Sequence, residues 1–200
     1  MNSIPEHSFA GLGPDIVLDA LDALGLHSDG RLLAMNSYEN RVYQVGMEQG
    51  PPLIVKFYRP QRWSDAAIHE EHQFAAELES NEIPVVAPMQ AEGRSLHQHQ
   101  GYRFAVFRRQ GGRMPELDHP ETLERIGRFM GRIHATGATT SYTHRGTLDV
   151  HSFGEQPRAW LLAHDFIPAE LRESWSGISA QALDSVRRSE EHTSELQSLR

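Results

Sequence analysis

The sequence predicts an α+β protein, a small antiparallel-sheet lobe with one long helix that leads into a helical lobe. Three features of the 200 residues predict it. Three short runs of β-forming residues crowd between positions 31 and 58, with turn-forming residues between them. A helix-period stretch at 64–80 and one further apolar run at 102–107 follow. Past the breaker "GG" at 111–112, the apolar residues recur at helical spacing.

The first element is "GPDIVLDALDALGL" (13–26), a short amphipathic helix. Pro14 suits its first turn, Ile16, Ala20 and Leu24 share a face, and Gly25 suits its end. "RLLAMN" (31–36), "NRVYQVGM" (40–47) and "LIVKFY" (53–58) are strands, and "EQGPP" connects the last two as a hairpin. "SDAAIHEEHQFAAELES" (64–80) is a helix with Ser64 as N-cap. "YRFAVF" (102–107) is a further strand. "DHPETLERIGRFMGRIHATG" (118–137) is a helix with Asp118 and Glu121 placed as a capping box. Leu123, Ile126, Met130 and Ile133 form its apolar stripe, expected to be core, and Gly137 its stop. Helical patterns around 157–165 and 169–187 complete the order. The expected organisation is a sheet lobe over 1–107, a joint at 108–113 and a helical lobe over 114–187.

A hydrophobic content of 38% allows a real core, and 23% charge is ordinary for a water-soluble protein. A net charge of −8 argues against a general binder of nucleic acid or membrane surfaces. The absence of cysteine excludes disulfides, thiolate metal sites and cysteine nucleophiles, and fits a reducing compartment. No basic leader precedes an apolar stretch, and no apolar run approaches about 18 residues. The expectation is a soluble, cytoplasmic monomer without nucleic-acid or membrane partners.

Of the 19 basic residues 18 are arginine, and the one lysine, Lys56, sits inside the apolar run "PLIVKFY". An ammonium is a compact point charge, whereas a guanidinium is a planar fork. On an edge strand Lys56 would snorkel, its stem packed and its head in water. The functional alternative is a strand lysine that neutralises nucleotide phosphates. That role needs a carboxylate on the next helix and a phosphate-covering hairpin before the lysine. Glu70 and Glu71 supply the first, and "NSYENRVYQV" supplies the second.

Other motifs carry less. "GLGPDI" (11–16) lacks the third glycine and the preceding strand of a dinucleotide fingerprint, and no G-x-x-x-x-G-K-[ST] occurs. "HEEH" (69–72) falls one residue short of the zinc-protease H-E-x-x-H. "LHQHQ" (96–100) has the character of a polar hairpin tip. No G-x-S-x-G elbow supports a serine triad.

Several segments resemble bacterial stress response kinase A, a family of Ser/Thr protein kinases on the aminoglycoside-phosphotransferase and choline-kinase branch of the kinase-like fold. They are "MNSYENRVYQV" (35–45), "LIVKFYRPQRW" (53–63), "EEHQFAAEL" (70–78), "IPVVAP" (83–88), "GYRFAVF" with "GGR" (101–113) and "IGRFMGRIHATG" (126–137). The resemblance implies a protein-kinase-like fold with a small N-lobe and the first helices of a helical C-lobe. It implies ATP and Mg²⁺ as cofactors and a protein Ser/Thr hydroxyl as acceptor; a small amino alcohol or aminoglycoside is the rival acceptor. It places Ser37 near the nucleotide phosphates, Lys56 on α/β oxygens and Glu71 as the partner of Lys56, with Glu70 as alternative. It places Phe107 in the hinge whose backbone meets adenine. A nucleotide-binding module without chemistry is the reading from another class.

Phosphoryl transfer of this kind also needs a catalytic Asp, and an Asn and Asp to hold Mg²⁺. The asparagines here are Asn2, Asn36, Asn40 and Asn81, so none follows the hinge. "HRGTLD" (144–149) and "HDFIP" (164–168) are chance likenesses of the missing motifs. "RSEEHTSELQS" (188–198) resembles one translated frame of a common sequencing adapter. The expectation is therefore an amino-terminal kinase fragment with a non-native tail over 188–200, its catalytic Asp and metal ligands lying beyond residue 187.

Overall fold

Alternation along the strands decides where the core lies. In the central strand Leu53, Val55 and Phe57 are buried while Ile54 and Lys56 are half-buried on the opposite face. The computed structural model describes residues 9–198, with side chains as far as Ser189. Five strands are described: β1 (Ser28–Met35), β2 (Arg41–Met47), β3 (Leu53–Phe57), β4 (His97–His99) and β5 (Tyr102–Arg108). They form one antiparallel sheet in the order β1-β2-β3-β5-β4. Strand β3 is therefore central, not an edge, and the edge-snorkelling account of Lys56 does not hold.

Helix α1 (Pro14–Asp22) packs on the face that carries Leu53, Val55 and Phe57. Its buried residues are Val17, Ala20 and Leu21, not the Ile16, Ala20, Leu24 face expected. The observed set, continued by the partly buried Leu24, follows i, i+3, i+4, i+7 and gathers more apolar area onto one stripe. Gly25, at φ 72°, takes the left-handed position after the helix, and the Leu26 N–H returns to the Leu21 carbonyl at 3.0 Å. Phe57 centres this core, stacked on Phe104 at 5.3 Å and edge-on to Tyr43 at 6.2 Å. Burying side chains of this size contributes about 1.5–3 kcal/mol each.

Helix α2 (Asp65–Ser80) packs against the other face. The Ser64 hydroxyl accepts the Ala67 N–H at 3.1 Å, as its N-cap placement predicts. The stretch read only as a polar hairpin tip forms the edge strand β4. His97 pairs with Phe104 there, and Gln100 (φ 45°) and Gly101 (φ 83°) make the tight turn.

Helix α3 (Pro120–Gly137) begins later than expected, with His119 as N-cap and no side-chain cap bond. Pro120 explains the shift: its fixed φ and missing N–H suit the first helical position, which leaves Asp118 outside and breaks the capping box. Its apolar stripe is not core. Leu123 is 52% and Met130 47% exposed, and no residue of α3 is buried. The helix is held through its C-terminal half instead. Arg132 donates to the carbonyls of Asn81 and Glu82 at 2.7 and 3.1 Å, a cation at the C-terminus of α2, and Gly137 lies against Phe74.

The chain divides into two compact units, the division falling between His144 and Arg145. In the second, a wide turn at His151–Glu155 runs into α4 (Gln156–Ala163). A 3₁₀ turn at Ala169–Leu171 then leads into α5 (Arg172–Ser198). Arg158 ties α4 to α5 by donating to Ser179 Oγ (2.9 Å) and Ser176 Oγ (2.8 Å). Helix α5 continues through 188–198, the adapter-like stretch; residues 199 and 200 lie outside the described part. No helix among the described residues is long and apolar enough to cross a membrane.

His97 gives the fold a measurable acid sensitivity. It is 8% exposed, packs on Phe104 at 5.5 Å, and its Nε2 has no hydrogen-bond partner. Burial, then the nearby Arg94 charge, push its pKa below the usual imidazole value. A depressed histidine leaves stability intact above the unfolded-state pKa near 6.5 and removes it as pH falls toward the folded value. Denaturant melts from pH 7.5 to 5 should show that decline in the wild type and a flatter profile in His97→Phe.

Candidate functional site

Residues paired across antiparallel strands share a face of the sheet. Lys56 pairs with Val42 and Ala105, Ile54 with Gln44 and Phe107, Val42 with Met35, and Gln44 with Leu33. On this one face Lys56 is the one cation among these paired residues, and apart from it and Gln44 the strip is apolar. Helix α2 covers one end of that face, where Tyr58, Ile68 and Ala105 pack with Trp63, Leu96 and Phe107. The other end is open: Leu33 is 60% and Met35 44% exposed, and Val42 and Ile54 are half-buried. Lys56 stands where the covered and open parts meet.

Lys56 Nζ donates to Glu71 Oε1 at 2.6 Å and lies 4.5 Å from the centre of the Tyr58 ring. Its side chain is 21% exposed and that of Glu71 34%, so the pair is shielded yet reachable. Helical phase selects the acid. Ile68, Glu71 and Leu78 follow the i, i+3, i+10 course of the sheetward side, and Ile68 and Leu78 are buried. Glu70, about 100° further round, accepts the backbone N–H groups of Thr143 (2.6 Å) and His144 (3.0 Å). The adjacent acids thus have different partners: Glu71 meets Lys56, and Glu70 anchors the segment after α3.

The hairpin tip Asn36–Asn40 follows Met35 and precedes Arg41, so it projects just beyond the row containing Lys56. Ser37 Oγ donates to the Asn40 carbonyl at 2.6 Å and closes the turn. Asn40 Oδ1 accepts the Arg59 N–H at 3.2 Å, and the Glu39 carboxylate accepts from Arg62 Nε (3.1 Å) and Trp63 Nε1 (3.0 Å). The tip is tied to the chain that leaves β3. Phe107 pairs with Ile54 and bridges to Pro88, Arg108 pairs with Leu53, and the chain then leaves the sheet as the exposed stretch 109–113. Arg109 of that stretch donates to Gln44 Oε1 at 2.8 Å.

Sequence reasoning missed Tyr58 and the Glu39–Arg62–Trp63 tether. Strand parity was the available signal for Tyr58, which is two residues beyond Lys56 and so on its face. The tether joins positions 23 and 24 apart in sequence, and no local pattern announces it. The zinc-like "HEEH" is not a metal pair. His72 is buried, with the Tyr58 hydroxyl at Nε2 (2.7 Å) and Ser95 Oγ at Nδ1 (2.8 Å). Among the described residues, the one grouping of three metal-ligating side chains is Glu116, Asp118 and His119, all exposed and within four consecutive positions. The described residues around Lys56 thus offer no carboxylate cluster for Mg²⁺.

A small antiparallel sheet with a lysine on its central strand, a glutamate-bearing helix against it and helices following is the arrangement of kinase-like phosphotransferases. Residues 31–194 match the phosphotransferase enzyme family, and the chain belongs to that family. Stress response kinase A of Shigella flexneri is 42% identical over 179 residues, 90% of this chain and 55% of that protein. Serine/threonine protein kinase RdoA of Salmonella typhimurium is 40% identical over 183 residues, 84% of this chain and 56% of that protein. The chain spans about half the length of the curated relatives it matches. Among solved structures, an amicoumacin kinase in complex with AMP-PNP, Ca²⁺ and Ami superposes with a TM-score of 0.64 at 20% identity. That superposition covers 88% of this chain and 53% of the other.

The tether can be tested by pH. Burial alone would raise the Glu39 carboxyl, but the hydrogen bonds from Arg62 and then Trp63 outweigh it and hold its pKa below the usual carboxylate value. A depressed carboxylate stabilises the fold above its unfolded-state pKa and loses that contribution as pH falls through the folded value. Glu39→Gln should cost about 1 kcal/mol at pH 7, measured by denaturant melts. The difference from the wild type should shrink to nothing as the pH falls below the carboxylate range.

Proposed function

We propose that these residues form the nucleotide-holding part of an ATP-dependent kinase of the stress response, which transfers the γ-phosphoryl group to protein Ser or Thr hydroxyls. The observation that carries this reading is the Lys56–Glu71 ion pair, at 2.6 Å on the central strand beside an open apolar face. A half-buried ion pair adds little net stability. Spending the chain's single lysine there fits a ligand role better than a structural one. An ammonium with three N–H donors, one directed at Glu71, keeps donors for phosphate oxygens. The strip of Leu33, Met35, Val42 and Ile54 offers a purine an apolar surface, and the backbone after Phe107 offers it hydrogen bonds. The Ser37 hairpin would cover the phosphates with its backbone N–H groups and hydroxyl.

Mg²⁺ enters this reading only as an ion held elsewhere, since no asparagine follows Asn81 and, among the described residues, no metal-ligating cluster stands by Lys56. On its own, the 200-residue chain is expected to bind ATP weakly and to transfer no phosphate. The stretch 188–200 has no part in the proposed site. The protein acceptor rests on the relatives named as a serine/threonine protein kinase and a stress response kinase.

In a protein with the full length of these relatives, Lys56→Ala should lower phosphoryl transfer by about a hundredfold or more with an unchanged circular-dichroism spectrum. Glu71→Gln should lower activity far more than Glu70→Gln. Near-normal turnover of Lys56→Ala, or the reverse ranking of the glutamates, contradicts the assignment. Radiolabelled ATP offered with protein substrates and with amino alcohols decides the acceptor; label on the small molecules alone would overturn the protein-kinase reading.

A further inference from the structure

We infer that Tyr58 is a positioning residue for Lys56, held in place from behind by His72 and Ser95. The inference rests on the proposed phosphate role of Lys56 for its purpose, but its geometry stands apart from that role. Tyr58 follows Lys56 by two residues, continues the strand pairing through its N–H to the Arg103 carbonyl at 2.9 Å, and so faces the same way. Tyr58 is 2% exposed, and the ammonium lies over its ring face, 4.5 Å from the ring centre. The negative face of an aromatic ring attracts a cation, more strongly where water is excluded.

A ring so used must not tilt. The Tyr58 hydroxyl meets His72 Nε2 at 2.7 Å, and His72 Nδ1 meets Ser95 Oγ at 2.8 Å. A neutral imidazole has one N–H and one lone pair, so either tautomer satisfies both neighbours while their hydroxyls turn to suit. His72 is 4% exposed and adjoins Glu71 on α2. Helix α2 therefore reaches the ammonium twice, by the Glu71 carboxylate and, through His72, by the Tyr58 ring. A lysine side chain on four rotatable bonds is fixed by one contact along its N–H and another across its flank. The ammonium is thereby set in place before a ligand arrives, which lowers the ordering cost of binding. The polar chain Tyr58–His72–Ser95 is a buried network whose members orient one another.

Because Lys56 is the only lysine, ¹³C-lysine labelling of the 200-residue chain gives one side-chain signal to follow by NMR. The Tyr58 ring current should move the Lys56 Hε resonance upfield of free lysine. Tyr58→Leu should return it to the free position and weaken ATP binding about tenfold. Tyr58→Phe, which keeps the ring, and Ser95→Ala, which removes the far anchor, should each shift it part of the way. Those two mild variants keep the test decisive if Tyr58→Leu fails to fold. An Hε signal at the free position in the wild type, or one unmoved by all folded variants, overturns the inference. Failure of the ATP reading shows up differently, as a wild-type Lys56 signal, upfield shifted, that does not respond to ATP.

Discussion

The contact between Lys56 Nζ and Glu71 Oε1 joins the central strand to the long helix, and much of the first unit serves to hold those two atoms 2.6 Å apart. The strand register sets one side: Lys56 pairs with Val42 and Ala105, so it cannot rotate to the α1 face without moving Leu53, Val55 and Phe57 out of the core. The helix phase sets the other. Ser64 fixes where α2 begins, Ile68 and Leu78 fix which side is buried, and Glu71 falls on that side. Such a pair contributes modestly to stability, since desolvating both charges offsets much of their attraction. What it does provide is a cation at a defined place.

A second constraint acts on the hairpin. A tip of five residues joining two strands would ordinarily be mobile. Here Glu39 and Asn40 bind the chain immediately after β3, through Arg59, Arg62 and Trp63. The segments "NSYEN" and "YRPQRW" therefore require each other, although strands β2 and β3 and the turn between them lie in between. Asn36 and the wholly exposed Tyr38 are the residues of the tip that the tether leaves to solvent.

The strands were legible because a period of two with β-branched residues survives any packing arrangement: β2, β3 and β5 lie within one residue of where "NRVYQVGM", "LIVKFY" and "YRFAVF" place them. Helix phase was less legible. The face of α1 was misjudged by one position, because Ile16 and Val17 are equally apolar and only the sheet beneath them chooses. Strand β4 was hidden by its polar composition, since an edge strand of three residues needs little hydrophobicity of its own. The stripe of α3 was read as core from spacing alone, yet periodicity reports that a helix has an apolar side and not whether anything covers it. At the candidate site, Lys56 stood out by composition, and the resemblance put Glu71 before Glu70, but only the phase of α2 against the sheet separates the adjacent acids. The aromatic floor under the ammonium was written in the sequence as a parity, Ile54–Lys56–Tyr58, and went unread.

The central claim is that Lys56 lies where the phosphates of ATP bind. An acyl-phosphate derivative of ATP, whose reactive carbonyl sits at the phosphate end, transfers its acyl group to an amine held beside it. With one lysine in the chain, mass spectrometry of the labelled protein has one side-chain amine to score. The account predicts acylation at Lys56 that excess ATP suppresses and that an acyl phosphate without the nucleoside does not reproduce. Lys56 left unlabelled, or labelled equally with and without competing ATP, would contradict it.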